Sequence, residues 1–408
     1  MWNNNCNLGA YSVLENAGDI ILSAGNNVIG IMIDEENMDV SNGAQHRTIN
    51  NGKIIINNEN SIGIDFGQYG NKLLLADISL GNITVNGMNN YGFRMQNIFD
   101  ENVAHYDDVT ISSGGDNKKI IVAGRNNVGL GVGKSLSSLP TPYTVIGDLN
   151  HGTLSGTNPI SNFYGINIEI TGTNNIGFLR LSNYSTNNTE DFLFNNQTIG
   201  KLYINGAEGS TLIRTDKYGI QIKKDIIITG TNGTKNTLAH ANGQAQHIYN
   251  SGTMKIGSGL TQTTAMASTG TSASTIINVR NTGTIEIDGK ESIGMYVDGF
   301  TKGQNTGTIT MTGTTGNTGV VNKGTFDMQG TVNIKGIKSS GLYNEKTMNI
   351  IDNTTINGTA GATGIYANGG TTNLTTGKAL TIKVNDTTVS NLSDKGVGIY
   401  AKGGQLSM

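Results

Sequence analysis

The sequence is short of cysteine, proline, aromatic residues and charge. Its 408 residues include one Cys, three Pro and 6% aromatic residues, and only 14% are charged, against about 25% in an average domain. Cys6 alone cannot form a disulfide within the chain. No apolar run reaches the roughly 18 residues of a membrane-spanning helix. A formal net charge of -3 without a basic stripe argues against binding to nucleic acid.

Glycine, asparagine, threonine and β-branched residues are abundant instead. The chain contains 58 Gly, and Ile and Val recur between Gly and Asn residues that favour turns. Strong helix formers are sparse, and β-branched residues bounded by turn residues are typical of short strands. The composition therefore predicts an all-β protein.

Two short phrases repeat along the chain. The first reads G-I-Y-A-N-G at Gly364 and G-I-Y-A-K-G at Gly398, and its variants begin at Gly294, Gly319 and Gly341, with steps of 25, 22, 23 and 34 residues. The second phrase, N-T-G-T-I, lies between copies of the first. Looser copies of the first phrase in the first half follow Asn26, Asn60, Asn89, Asn126 and Asn174.

Each phrase predicts a short strand with alternating faces. In T-I-E-I-D-G, Ile285 and Ile287 face one way while Thr284 and Glu286 face the other. A coil of 22 to 25 residues cannot bury an apolar face alone, but coils stacked about 4.8 Å apart can. Gly and Asn suit corners that need left-handed backbone. The pattern predicts a right-handed parallel β-helix, or β-solenoid; a β-propeller or β-sandwich is the alternative.

The regularity divides the chain into two regions. Residues 251–408 predict regular coils, and residues 1–250 predict coils interrupted by long insertions, the two together forming one continuous solenoid. The insertions carry all three Pro and four of the five His. They are residues 94–119, 134–163, 180–198 and 229–247. Because insertions in solenoids often bind ligands, we expect the binding region within residues 1–250.

The tyrosines of the first phrase predict a column on one face of the regular coils. With Ile365 and Ile399 on one face, Tyr366 and Tyr400 lie on the other. The expected structural ladder is Tyr296, Tyr343, Tyr366 and Tyr400.

The insertions supply the candidate ligand-binding residues. Sugar recognition needs an aromatic platform beside amides and carboxylates, and A-H-Y-D-D offers both in one segment. Two prolines stiffen P-T-P-Y-T-V, so Tyr143 is presented at low entropic cost. A protein receptor would use the same kind of rigid anchor. The candidates are His105, Tyr106, Asp107, Asp108, Tyr143, His151 and Tyr184.

An enzyme of the β-helical polysaccharide hydrolase or lyase type is the alternative. It would use Asp107, Asp108 and His151, since two carboxylates must flank one glycosidic bond. The Asp pair and the His are 43 residues apart in different insertions, and neighbouring strand residues face opposite ways. No metal-ligand spacing or cofactor motif is present. We therefore expect no enzyme, no metal and no cofactor.

The repeated phrases resemble the passenger region of type V autotransporter adhesins, especially the large fusobacterial ones. The similarity is strongest from Asn281 to Gly404. It implies display on the outside of a bacterial cell and attachment to host cells or other bacteria through a protein receptor or glycan. It also implies anchoring by an outer-membrane barrel outside this chain, with no membrane insertion by this segment.

The two ends of the chain lack the family's terminal signals. M-W-N-N-N-C-N-L-G-A has no basic start or apolar core, and G-G-Q-L-S-M does not resemble a final barrel strand. We expect a piece of a longer passenger. A spacer without any ligand is the third hypothesis.

Overall fold

The computed structural model divides the chain into two compact units. The first unit comprises residues 1–203 and 212–218, and the second comprises residues 204–211 and 219–408. The structure describes residues 12–34, 45–69, 75–98, 109–132, 163–181, 192–194, 199–216, 219–224, 226–243, 245–313, 315–359, 361–384 and 395–407.

The described residues of the first half form short strands. In chain order they are β1 Ser12–Asn16, β2 Ile20–Leu22, β3 Ile29–Asp34, β4 Gln45–Asn50, β5 Lys53–Ile56, β6 Ile62–Tyr69, β7 Leu75–Ser79, β8 Asn82–Val85, β9 Tyr91–Ile98, β10 Val109–Ser112, β11 Ile120–Val122, β12 Val128–Val132, β13 Phe163–Tyr164, β14 Ile166–Ile170, β15 Ile176–Arg180, β16 Phe192–Phe194, β17 Ile199–Glu208 and β18 Thr211–Thr215.

The second half continues with strands of similar length and a few longer ones. They are β19 Gly219–Ile222, β20 Ile227–Thr234, β21 Thr237–Asn242, β22 His247–Asn250, β23 Thr253–Thr261, β24 Thr264–Thr269, β25 Val279–Asn281, β26 Thr284–Ile287, β27 Ile293–Val297, β28 Lys302–Asn305, β29 Thr308–Met311, β30 Thr318–Asn322, β31 Thr325–Ile334, β32 Ser340–Asn344, β33 Thr347–Gly358, β34 Thr363–Ala367, β35 Thr371–Leu374, β36 Leu380–Val384, β37 Val397–Ala401 and β38 Gln405–Ser407.

Each of the first five coils of the first unit contributes one strand to each of three parallel sheets. The sheets have the orders β1-β4-β7-β10-β13, β2-β5-β8-β11-β14 and β3-β6-β9-β12-β15. Identical positions of successive coils stack, so that Ile54, Ile83, Ile120 and Ile168 form one fully buried column. Burying each such side chain stabilises the unit by about 1.5–3 kcal/mol relative to an exposed position.

The second unit uses the same arrangement. One ladder runs β20-β23-β26-β29-β31-β33-β36, and another runs β21-β24-β27-β30-β32-β34-β37. Ile285 and Ile287 are fully buried while Thr284 and Glu286 are partly exposed, which confirms the predicted alternation.

These ladders confirm the predicted parallel β-solenoid. No α-helix occurs among the described residues, and parallel ladders between successive coils exclude a β-sandwich, which pairs its strands antiparallel. Within the described ranges no helix has the length and apolarity required to cross a membrane. Sequence reasoning missed the third strand of each coil, such as β25 and β28, because V-R-N and K-G-Q-N carry no apolar alternation.

One expected insertion is absent. Residues 229–247 were predicted to interrupt the coils, but they form much of β20, all of β21 and the start of β22, in parallel register with β23 to β25. That prediction was wrong, because its Asn, Gly and His residues fit ordinary strand and corner positions of the coils. Parts of the other three insertions lie outside the described residues.

The glycine of the G-I-Y phrase is required by close contact between coils rather than by a turn. A Cβ on Gly294 would lie 2.5 Å from the carbonyl oxygen of Gly319, and one on Gly364 would lie 2.5 Å from that of Gly398. Real Cβ atoms do not approach so closely, so the backbones of successive coils can meet here only without a side chain. Although the step from Gly364 to Gly398 is 34 residues, β34 pairs directly with β37.

Candidate binding groove

The seven predicted ligand-binding residues cannot be placed. They are His105, Tyr106, Asp107, Asp108, Tyr143, His151 and Tyr184, and all lie outside the described residues. The described part of the first unit carries a different candidate site, which begins at one corner of its coils.

That corner holds a row of asparagines in left-handed backbone. Asn60, Asn89, Asn126 and Asn174 have φ between 52° and 58°, a region that Asn adopts more readily than other non-glycine residues. The N–H of each of the first three donates to the carbonyl just before the next asparagine, at 3.1 Å. They therefore lie in successive coils. We call these four residues the Asn row.

A second set of asparagines, each directly after a member of the Asn row, holds the corner in place through buried hydrogen bonds. The backbone N–H of Ser61 donates to Asn90 Oδ1 at 2.7 Å, that of Asn90 to Asn127 Oδ1 at 2.8 Å, and that of Asn127 to Asn175 Oδ1 at 2.8 Å. These side chains are at most 1% exposed. These buried amides hold the corner rigidly, because breaking one of their hydrogen bonds leaves polar groups unpaired and away from water.

Apolar side chains lie beside the Asn row. Val128, Leu179 and Leu181 form a buried cluster, against which Tyr91 and Ile176 pack. In the parallel register Val128 pairs with Tyr91 on one side and with Ile176 on the other. The cluster therefore spans consecutive coils, as the row does, and forms an apolar strip parallel to it.

The ring of Tyr91 fills space that a glycine leaves open. A Cβ on Gly131 would lie 2.7 Å from Tyr91 Cε1, so any other residue at 131 would displace the ring. Burial raises the pKa of Tyr91 to about 12, with Arg94 opposing the rise and Asp216 adding to it. The hydroxyl, which is protonated at neutral pH even at the ordinary tyrosine pKa of about 10, can donate a hydrogen bond.

Two ion pairs border this region. Arg214 Nε donates to Asp216 Oδ1 at 2.6 Å and its Nη2 to Oδ2 at 3.1 Å, with both side chains partly exposed. Arg94 makes the same two-pronged contact with Asp65 at 2.9 and 2.7 Å, fully buried. Because each cation is matched by a carboxylate in fork geometry, neither pair adds net charge.

Together these elements line a groove of about 380 Å³. The Asn row forms one side, the apolar strip supplies Tyr91, Val128, Ile176 and Leu179, and the Arg214–Asp216 pair completes the lining. Side-chain amides both donate and accept hydrogen bonds, and the apolar strip can take the faces of a flat ligand. The groove therefore suits a hydroxyl-rich ligand with apolar faces.

A polar cluster on another sheet of the first unit is internally satisfied. Tyr203 Oη and Lys119 Nζ both donate to Glu169 Oε2 at 2.5 Å, and Lys201 Nζ lies 4.6 Å from the Tyr203 ring centroid. The hydrogen bond to Glu169 raises the pKa of Lys119, and burial raises the pKa of Tyr203. These groups keep their protons, so the cluster crosslinks coils and has no free base.

The predicted tyrosine column lies in the second unit. Tyr343 stacks on Tyr366 with ring centroids 5.3 Å apart, and Tyr366 contacts Tyr400 at 5.0 Å. Tyr296 occupies the same register position but is separated from Tyr343 by Val321. The structure thus brings three of the four together.

The described ranges contain no group of three or more His, Cys, Asp or Glu side chains that could hold a metal ion. His240, which lies in the segment expected to be an insertion, has its Nε2 2.9 Å from Thr269 Oγ1.

No protein-family model matches this chain, and no curated protein is detectably similar to it in sequence.

The sequence contains a signal for the groove that turn chemistry alone does not explain. The phrases that start at Asn89, Asn126 and Asn174 each begin with two consecutive asparagines. The first is the corner residue that lines the groove, and the second is the buried rung. The two asparagines of each pair therefore have separate roles: the side chain of the first lines the groove, and that of the second links successive coils.

Proposed function

We propose that this chain is part of a bacterial surface adhesin, an autotransporter passenger segment, which attaches the cell to host cells or other bacteria. The groove of the first unit binds a cell-surface glycan. The protein acts outside the cell, and the anchoring barrel lies outside this chain.

The observation that carries this proposal is the lining of the groove. Four amides in one line, an apolar strip and a fork-shaped ion pair provide the donors, acceptors and flat contacts that sugars need. Asn89, Asn126 and Asn174 make no side-chain hydrogen bond to other described residues, so no described residue competes with a ligand for their amides.

The solenoid supports the same proposal. Surface adhesins hold a binding site away from the membrane, and stacked coils extend a chain without needing a large globular core. The repeated phrases that resemble autotransporter passengers are the ones that build these coils.

Removing amides from the groove tests the proposal. The double variant Asn126→Gly, Asn174→Gly keeps the left-handed corners, because Gly adopts positive φ freely, and removes two side chains from the lining. Asn27→Gly is the matched control, since Asn27 has φ 67° at an equivalent corner and does not line the groove.

The readout is binding of the purified chain to host epithelial cells and to partner bacteria, alongside a glycan array. We expect the double variant to lose binding while Asn27→Gly retains it, with unchanged circular dichroism for both. Equal binding by the parent and the double variant would show that the groove does not mediate attachment, and would favour the hypothesis of a spacer without a ligand. Binding that survives removal of cell-surface glycans would point to a protein receptor.

A further inference from the structure

We infer that the groove binds an uncharged, extended, β-linked oligosaccharide that runs across successive coils, with about one sugar residue to each coil. This inference rests on the proposed function and names the ligand class of the same groove. Three features of the described residues carry it.

The first feature is the spacing of the Asn row. Its members lie in successive coils, which are about 4.8 Å apart in the direction of stacking. The advance per residue of an extended β-linked sugar chain is similar to this spacing. Successive sugars of such a chain are turned over relative to each other, so each sugar can meet one amide and alternate sugars do so in the same orientation. Four asparagines span three coil spacings, or about 14 Å.

The spacing also argues against a peptide in this groove. An extended peptide rises about 3.3 Å per residue, so it falls out of step with the coils after one residue. A peptide that adds to a sheet as a strand needs a free strand edge, whereas β9, β12 and β15 are neighbours within their sheet.

The second feature is the charge of the lining. Arg214 is the only cationic side chain and Asp216 the only anionic one among the described residues that line the groove, and they neutralise each other. The Tyr91 hydroxyl is protonated at neutral pH, as at the ordinary tyrosine pKa of about 10, and burial raises its pKa further, to about 12. An acidic sugar would meet Asp216 without an unmatched cation, so a neutral sugar fits better.

The third feature is the apolar strip beside the Asn row. Tyr91, Val128 and Ile176 occupy one register position in three successive coils. Extended β-linked pyranoses present C–H faces along the chain, and these faces can pack on such a strip while the ring hydroxyls reach the amides.

Binding of oligosaccharides of defined length tests the inference. The probes are β-1,4-linked gluco- and N-acetylglucosamine oligomers of two to six residues, titrated calorimetrically into the full chain. The α-1,4-linked gluco-oligomers of the same lengths, which coil rather than extend, and β-linked oligoglucuronates are the matched controls.

We expect affinity to rise about tenfold or more from the dimer to the tetramer of one neutral β-linked series and then to level off. Asn126→Gly should lower tetramer affinity about tenfold, with Asn27→Gly unchanged. Asp216→Asn leaves Arg214 without its carboxylate, so binding of the oligoglucuronate should increase in that variant alone.

Equal affinity for α- and β-linked tetramers, or no dependence on length, would overturn the inference. If the Asn126→Gly, Asn174→Gly variant loses cell binding but no neutral oligomer binds the parent chain, the proposed function stands and this ligand class is wrong. If the variant keeps full cell binding, the proposed function itself fails.

Discussion

The two units build the same corner from different side chains. In the first unit, the left-handed position is Asn in the row from Asn60 to Asn174. In the second unit it is occupied by Gly209 and Gly316, with φ of 61° and 72°, and by Lys235, Gln262, Glu291 and Lys338, with φ between 51° and 56°. The backbone hydrogen bonds are equivalent, since each of these N–H groups also donates to the next coil.

This difference separates what the turn needs from what the surface needs. The second unit shows that the corner backbone tolerates long charged side chains, at a cost of about 1–2 kcal/mol per residue in left-handed backbone. Turn geometry favours the asparagines of the first unit but does not require them. An unbroken row of short amides beside a groove is therefore a feature of the surface of the first unit.

The buried rungs should give the largest difference between the units. Asn127→Ala orphans the N–H of Asn90 and removes one of the two hydrogen bonds to the carbonyl of Gly87, which keeps the N–H of Arg125. We expect this change to lower the free energy of unfolding by about 1–3 kcal/mol. Ser292→Ala at the equivalent position of the second unit removes the acceptor of the Thr263 N–H and the hydrogen bond from Ser292 Oγ to the carbonyl of Lys290. We expect it to lower the free energy of unfolding by about 1 kcal/mol. Urea unfolding followed by circular dichroism measures both, and equal losses would contradict this ranking.

The pH dependence of stability should show the burial of Tyr91. Because its pKa is raised to about 12, the folded state holds the proton after the unfolded chain has released it near pH 10. The resulting stabilisation is complete below pH 10 and is lost as the pH rises towards 12, by at most about 3 kcal/mol. Tyr91→Phe should flatten that part of the curve relative to the parent, and identical slopes for both proteins would argue against a buried hydroxyl.

Exchanging corner residues between the units should change stability in opposite directions. Lys338→Asn relieves an unfavourable left-handed lysine and should stabilise by about 0.5–1 kcal/mol, whereas Asn126→Lys should destabilise by a similar amount. Thermal unfolding of both variants, with Asn27→Lys as a control outside the groove, compares the two corners. A gain on placing lysine at 126 would refute the backbone argument.

The smallest effect concerns the tyrosine column of the second unit. The hydrogen bond from Tyr343 Oη to Glu345, at 2.6 Å, holds the pKa of Glu345 below its usual value, with Lys323 assisting. This stabilisation is present above the ordinary carboxylate pKa and is lost as the pH falls through the lowered value. Tyr343→Phe should raise the pKa of Glu345, as measured by NMR titration, and an unchanged value would rule out the hydrogen bond as the main cause.

Sequence periodicity predicted the fold because a solenoid is determined by local, repeated contacts. The alternation in T-I-E-I and the left-handed asparagines both follow from residues close together in the chain. The groove could not be predicted in this way, since it joins Asn60 to Asp216 through the number and length of the coils between them. The sequence also does not show why the G-I-Y phrase needs a glycine, because the close contact that requires it is with a backbone carbonyl of the following coil.

Three buried amides of the second unit, those of Asn250, Asn281 and Asn305, point in one direction. Asn250 Nδ2 donates to Asn281 Oδ1, and Asn281 Nδ2 donates to Asn305 Oδ1, each at 2.8 Å. Asn281 is thus donor to the coil after it and acceptor from the coil before it, so the dipoles of the three amides align head to tail. Polarisation along such a chain strengthens its interior bonds, so the ladder is more than a sum of separate pairs and its stability should grow faster than its length.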